Sequence, residues 1–376
     1  MDSSEIDEKV KKSLEGTRFA ASTFTKLEGG LVNWTYKAEL LKPLDDGTKQ
    51  VTIKHGEDFV QFRPDYKVSV DRCRNETEAL KILTESPIGG ESDTSDSLPL
   101  FKVRTPKHYH YDEKNVNQFT EYLPNAVNLK TYARTHFRPN TPVSLRPQCQ
   151  ELGRAIGTWM RGFHEWGQKQ DELRRLVAAT DAQSRAVTKM VNFAWMQDRV
   201  KRWPDVLGSM ADALKEVEEM ADHEWETEEG FQLVHGDLGP GNTILPNEPL
   251  SKGGGTDVFI IDWEVIQLGV RAVDIGLMLA DFYALWKYQS IDGGLWLMHG
   301  FVEGYKDQSE VSVYRTLIQM GGHLLCHSTD LEEWGDEDKR KEVAQLGAEV
   351  IVHAWRKDRE WFGNGELGFV FKDVKT

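Results

Sequence analysis

Residues 233–245 read LVHGDLGPGNTIL. An apolar pair leads into His235-Gly236-Asp237, a Gly-Pro-Gly turn follows, and Asn242 precedes a second apolar run. A buried strand excludes an unpaired carboxylate, because the ionised group loses its hydration there. A turn between two strand-like runs instead lets Asp237 stand clear, with Asn242 offering a neutral carbonyl oxygen to the same space. Twenty-five residues further on, VFIIDWE (258–264) carries Asp262 to the end of a partner strand. One amide oxygen and one carboxylate suit Mg2+, a hard cation that takes oxygen ligands and keeps positions for phosphate. Asp237 is the type of group that accepts a proton from an attacking hydroxyl. Alone, HGD or IDW is an ordinary turn. Together, in this order and in strand context, they point to phosphoryl transfer.

The N-terminal third carries matching chemistry. STFTKLEGGLVNWTYKAELL (22–41) alternates polar and apolar residues around Gly29-Gly30, which predicts two antiparallel strands joined at a glycine turn. Glycines let backbone N–H groups come close to phosphate oxygens. On its own such a pair is a hairpin turn. Lys54 sits in the short strand VTIKHG (51–56), where a cation is costly unless paired. A phosphate and the acid Glu76, on the helix predicted over 70–83, are its natural partners. The plainer reading is an edge lysine with its ammonium in water.

Composition narrows the class. The chain has 376 residues, so two lobes are expected. It carries 46 basic and 61 acidic residues, a formal net charge of −15, which disfavours nucleic acid and anionic membranes as partners. Three isolated cysteines argue against both a disulfide framework and a zinc site. There is no signal-peptide pattern at the start and no apolar run long enough to span a bilayer, so the expected location is the cytoplasm.

The order of elements predicts an α+β chain. A short helix over 4–15 is followed by five strands with one helix among them, the last two strands near 101–111 and 116–123. Residues 86–100 read as a loop. The chain changes character near 121–125, which sets expected lobes at 1–123 and 124–376. The second reads as a helical body, with helices at 151–166 and 206–220, holding one short β-hairpin whose turn is the glycine-rich 251–257.

Taken together, LEGGLVNWTY, VTIK, NETEALKIL, QFTEYLP, HGDLGPGN and IIDWE, in that order, resemble the aminoglycoside phosphotransferase and choline kinase superfamily. The segment IIDWEVIQLGVRAVDIGLMLADFY followed by HLLCHSTDLEEWG is similar to fungal metabolite kinases of that superfamily, the 4-hydroxytryptamine kinases among them. The 5-methylthioribose kinases share related spacing. The resemblance implies a bilobal protein-kinase-like fold, with a small five-stranded antiparallel N-lobe and a larger, mainly helical C-lobe. It implies ATP and Mg2+ as cofactors and a small-molecule hydroxyl as acceptor. Gly29, Gly30 and Asn33 would face the nucleotide, Lys54 would contact phosphates and pair with Glu76, and the backbone of Glu121 and Leu123 would meet adenine. Asp237 would be the catalytic base, Asn242 and Asp262 the metal ligands, and Asp274 a structural acid behind the catalytic loop. Neither a His-Arg-Asp nor an Ala-Pro-Glu is present, so polypeptide substrates are not expected.

Candidate liners of the acceptor site are Trp263, Glu264, Asp330, Glu333 and Trp334, since acids beside indoles suit an ammonium group. Glu264 also reads as a second metal ligand or a solvated strand-end acid. His164 reads as a core histidine. His323 and His327, four residues apart, read as one face of a helix rather than a metal site, for want of a third ligand. The competing reading from another class is an inactive nucleotide-binding scaffold.

Overall fold

The computed structural model describes residues 3–28, 30, 32–88, 100–250, 255–306, 309–331, 335–372 and 374. They form two compact units. The first comprises Met1–Pro87, Thr105–Pro124 and Asp262–Glu264; the second comprises Ile88–Arg104, Asn125–Ile261 and Val265–Thr376. Strands are numbered along the chain: β1 (Ala21–Lys26), β2 (Trp34–Leu40), β3 (Gln50–His55), β4 (Phe59–Val60), β5 (Arg63–Lys67), β6 (Phe101–Arg104) and β7 (His108–Asp112). There follow β8 (Asn117–Glu121), β9 (Ala126–Asn128), β10 (Gln232–Val234), β11 (Thr243–Pro246), β12 (Thr256–Ile260) and β13 (Gln267–Gly269).

The first unit is built on a five-stranded antiparallel sheet in the order β1-β2-β3-β8-β7. Alternation decides its faces. Trp34, Tyr36, Ala38 and Leu40 of β2 and Val51 and Ile53 of β3 are buried, while Lys54 falls on the alternate face. Helix α1 (Ser3–Leu14) lays Ile6, Val10 and Leu14 into the same core, one helical stripe against one sheet face. Each such side chain contributes on the order of 1.5–3 kcal/mol by leaving water. Helix α2 (Asp71–Glu85) buries Cys73, Thr77, Leu80 and Leu83, and with them the polar Arg72 and Glu76.

Two features up to residue 112 differ from the sequence reading. The β4–β5 pair was not foreseen, because β5 is exposed along its length and shows no alternation. The strand expected near 101–111 is two strands. Pro106 interrupts them; it has no N–H to offer a ladder. The earlier piece, β6, belongs to the second unit, where it pairs in parallel with β12.

The second unit is mainly helical; the expected hairpin is the antiparallel β11–β12 pair, its turn residues 251–254 lying outside the described residues, and it sits in one of two small sheets among the described residues. One has the order β6-β12-β11-β9, and the other pairs β10 with β13. The strands flanking residues 235–242 therefore lie in different sheets, and their connection is not a hairpin turn. Helix Arg146–Gly167 buries Leu152, Ile156, Trp159, Met160 and Phe163 on one face. It packs backbone-close on helix Asp292–Tyr305: a Cβ at Gly153 or Gly157 would strike the Leu297 or Phe301 carbonyl. The helix expected over 206–220 is broken into Pro204–Leu207, a 3-10 turn at Gly208–Met210 and Ala211–Thr227. Gly208 is the weak point in that pattern. Helix Ala272–Gln289 is buried nearly all round, and no helix among the described residues is long and apolar enough to cross a membrane.

Candidate active site

In the first unit, register places Lys54 opposite Thr35 on β2 and Gln118 on β8. Its Nζ lies 2.9 Å from Glu76 Oε2 and 3.1 Å from Glu76 Oε1, and it also pairs with Asp262 Oδ1. Burial alone would push the Lys54 ammonium towards neutrality. The carboxylates of Asp262, Glu76 and Glu264 outweigh it and hold the pKa well above the usual lysine value. The Glu76 pKa also rises, here because burial leads. Burial raises it, Lys54 opposes, and Asp262 and Glu264 add to the rise.

Asp262 has φ +66°, in the left-handed region where Asp is among the more tolerant residues. Strand β12 has ended at Ile260, and the backbone turns left-handed at the acid. The next residue, Trp263, is fully buried and donates its backbone N–H to Glu76 Oε1 at 3.2 Å. Glu264 is 5% exposed and accepts at Oε2 from Arg72 Nε at 2.9 Å and from Asn33 Nδ2 at 2.5 Å.

In the second unit, a buried acid organises the 235–242 loop. Asp274, near the start of helix Ala272–Gln289, accepts the His235 N–H on Oδ2 and the Gly236 N–H on Oδ1, both at 2.9 Å. Oδ2 also lies 3.0 Å from His164 Nε2, and His164 Nδ1 lies 2.7 Å from the Tyr305 hydroxyl. Burial would raise the Asp274 pKa, but His164, His235 and the backbone donors reverse the shift, so the carboxylate stays ionised.

Gly236 has φ +85°, and a Cβ there would meet the Gln267 side chain and the Val265 carbonyl. His235 Nδ1 accepts the Asp237 N–H at 3.3 Å, which puts its hydrogen on Nε2, donating to the Ile261 carbonyl at 3.0 Å. Asp237 itself is exposed between buried neighbours. Asn242 Nδ2 donates to its Oδ2 at 2.9 Å and to its backbone carbonyl at 2.8 Å. The amide's hydrogens are thereby spent on Asp237, and its oxygen is the group left to act as a ligand.

Residues 41–296 match the phosphotransferase enzyme family known as APH. The chain belongs to this phosphotransferase family. It is a small-molecule phosphotransferase. Among curated proteins it is 26% identical to the phosphotransferase FrzJ of Cladobotryum sp, over 95% of this chain and 94% of that one. It is 25% identical to a 4-hydroxytryptamine kinase of Psilocybe cyanescens, over 91% and 89%. Among solved structures it resembles an ethanolamine kinase of Plasmodium vivax, with a TM-score of 0.50 and 15% identity over 92% of this chain and 86% of that one.

For the phosphotransferase, the residues singled out in the sequence fall as follows. Lys54, Glu76 and Asp262 are brought together in the first unit, and Asp237 and Asn242 in the second. Asn33 is bonded to Glu264 and Arg72. The Gly30 backbone sits close to the Asn33 carbonyl, 2.6 Å from where a Cβ would stand. Glu121 closes β8, its N–H donating to the Lys107 carbonyl at 2.8 Å, and half-buried Leu123 follows. Asp330 is exposed and pairs with Arg199 at 3.0 Å. Gly29, Glu333 and Trp334 lie outside the described residues. His164 is a core histidine with both ring nitrogens bonded. His323 and His327 lie on a π-helical turn with ring centroids 4.7 Å apart, and His323 Nδ1 meets Asn192 Oδ1 at 3.1 Å.

The sequence reading passed over Arg72 and the role of the His235 ring. Arg72 stands one helical turn before Glu76, a spacing visible in DRCRNE. Its partner, however, is 192 residues away.

Proposed function

We propose that this phosphotransferase moves the γ-phosphoryl group of ATP, with Mg2+, to a hydroxyl of a small metabolite, either an amine-bearing alcohol or a hydroxyindole. The observation that carries the reading is the Asp237 carboxylate, exposed on a loop whose backbone is pinned by a buried ionised acid and whose side chain is held by Asn242. Asp237 orients the acceptor hydroxyl and takes its proton as the oxygen attacks phosphorus. The bond to the bridging oxygen breaks and ADP leaves. Lys54, steadied by Glu76, binds the α- and β-phosphates. Gly29, Gly30 and Asn33 belong to the loop that approaches the phosphates, and the backbone of Glu121 and Leu123 meets adenine.

Asn242 and Asp262 would hold the metal. Both supply oxygen, and a pair of such ligands fits an ion that keeps its other positions for water and phosphate. When bound, Mg2+ neutralises charge gathering on the β- and γ-phosphates. In this reading residues 1–123 serve the nucleotide and 124–376 carry the catalytic loop and the acceptor site, with Asp330, Glu333 and Trp334 as its candidate liners; Trp263, fully buried, and Glu264, held by Arg72 and Asn33, do not line it. The amine preference draws on the chain's acidity and on the name of its Psilocybe relative. Three buried free cysteines suit a reducing compartment, the cytoplasm.

The test is ADP release across amino sugars, amino alcohols and hydroxyindoles, by wild type and Asp237→Asn. Wild type turns over one class, and the variant loses roughly 10²–10⁴-fold in rate while still binding ATP. A wild type that binds ATP but turns over no acceptor would instead be an inactive scaffold.

A further inference from the structure

Arg72 is 9% exposed and has no task in the account above. Its guanidinium nonetheless donates four hydrogen bonds. Besides Nε to Glu264 Oε2, Nη2 donates to Asn33 Oδ1 at 2.7 Å and to the Glu57 carbonyl at 3.0 Å, and Nη1 to the Ser69 carbonyl at 2.8 Å. Asn33 returns a bond to the same Glu264 oxygen, so three buried side chains close a ring.

The ring completes a clasp on three consecutive residues. Asp262 is tied to Lys54, the Trp263 N–H to Glu76, and the Glu264 side chain to Arg72. Arg72 and Glu76 project from successive turns of α2, so one helix holds two of the three points. The left-handed φ at Asp262 makes this matter. With the strand ended, the direction of that carboxylate depends on how the next two residues are anchored. A buried ion pair is a poor source of net stability, since apolar residues of similar volume serve as well. What it supplies is geometry, and a planar, forked guanidinium supplies more of it than an ammonium.

We propose that Arg72 is a positioning residue which, through Glu264, fixes the Asp262 carboxylate and couples it to Asn33. Glu264 then acts as an anchor of the Asp262 segment rather than as a metal ligand. The inference rests on the proposed role of Asp262, and its test separates the two.

The informative variant is the double substitution Arg72→Met/Glu264→Met, which removes both charges and leaves neither partner buried alone. Hydrogen exchange in the absence of ligand reports the clasp directly. Peptides covering 262–266 should exchange at least about tenfold faster than in wild type while global unfolding stays cooperative. With nucleotide and metal, kcat should fall roughly 10–100-fold and the half-saturating Mg2+ concentration should rise, with the acceptor KM changed less than about twofold. Arg72→Lys should lose part of the same ground, and it serves on the same readouts if the double variant does not fold. Wild-type exchange and kcat in the folded double variant, or in Arg72→Lys where that must stand in, would overturn the proposal. So would a loss seen for Glu264→Met but not for Arg72→Met, which would make Glu264 a direct ligand. If wild type releases no ADP with any acceptor, the functional reading falls instead, while the exchange result still decides the clasp.

Discussion

At the residue scale, single atoms decide what the 235–242 loop can do. Gly236 has no room for a methyl group and adopts a backbone conformation unfavourable to other residues. Gly236→Ala should therefore destabilise the chain by about 1–3 kcal/mol and reduce turnover, read by denaturant unfolding and ADP release. Asp274→Asn is a sharper probe. The carboxylate accepts from two backbone N–H groups and faces His164, whereas an amide would turn an NH2 towards one of those donors. Losing a charge-assisted bond should cost about 1.5–3 kcal/mol, with kcat falling as the loop shifts. Asp237 and Asn242 were legible in the sequence because a turn between apolar runs leaves polar residues conspicuous. Arg72 was not, because an arginine on a polar-looking helix turn reads as a solvated one until its distant acid is in view.

Elements were legible where one face is buried and the other wet. β2 and β3 alternate, α1 repeats its apolar residues every four positions, and helix Arg146–Gly167 carries a continuous stripe. β5, exposed throughout, carried no such signal, and three-residue strands such as β10 and β13 are too short to establish a period. The close helix pair is a further case. Gly153, Gly157, Gly300 and Gly304 each face a carbonyl of the opposite helix, so their service is to have no side chain. Gly157→Leu should lower the unfolding free energy by at least about 1–3 kcal/mol, measurable by urea titration, whereas the exposed Lys169→Ala beyond the helix end should stay within about 0.5 kcal/mol.

At the scale of the whole molecule, stability and ligand binding are linked to conditions. Burial pulls the His327 pKa from 6.5 to about 3, helped by His323 and Lys130 and opposed by Asp281. Folded His327 stays neutral while the unfolded chain takes up a proton below about pH 6.5, so stability is full above that pH and falls as pH drops towards 3. Asp281 acts in the same direction at lower pH, held near 2 against burial by Lys130 and the two histidines. The thermal midpoint of wild type should accordingly fall more between pH 7 and pH 5 than that of His327→Gln. Saturating Mg·ATP should raise the midpoint of wild type, with a stabilisation of roughly 2.7 kcal/mol at a hundred times Kd, and should raise that of Lys54→Met far less.

Order along the chain and residue chemistry were enough to indicate the fold class and the reaction, because phosphoryl transfer needs few side-chain types and strands and helices announce themselves by period. Only the folded molecule assigned β6 to the helical unit, put β10 and β11 in separate sheets, and joined Arg72 to Glu264. Each of those depends on contacts between residues far apart in sequence, and local periodicity carries no record of such partners.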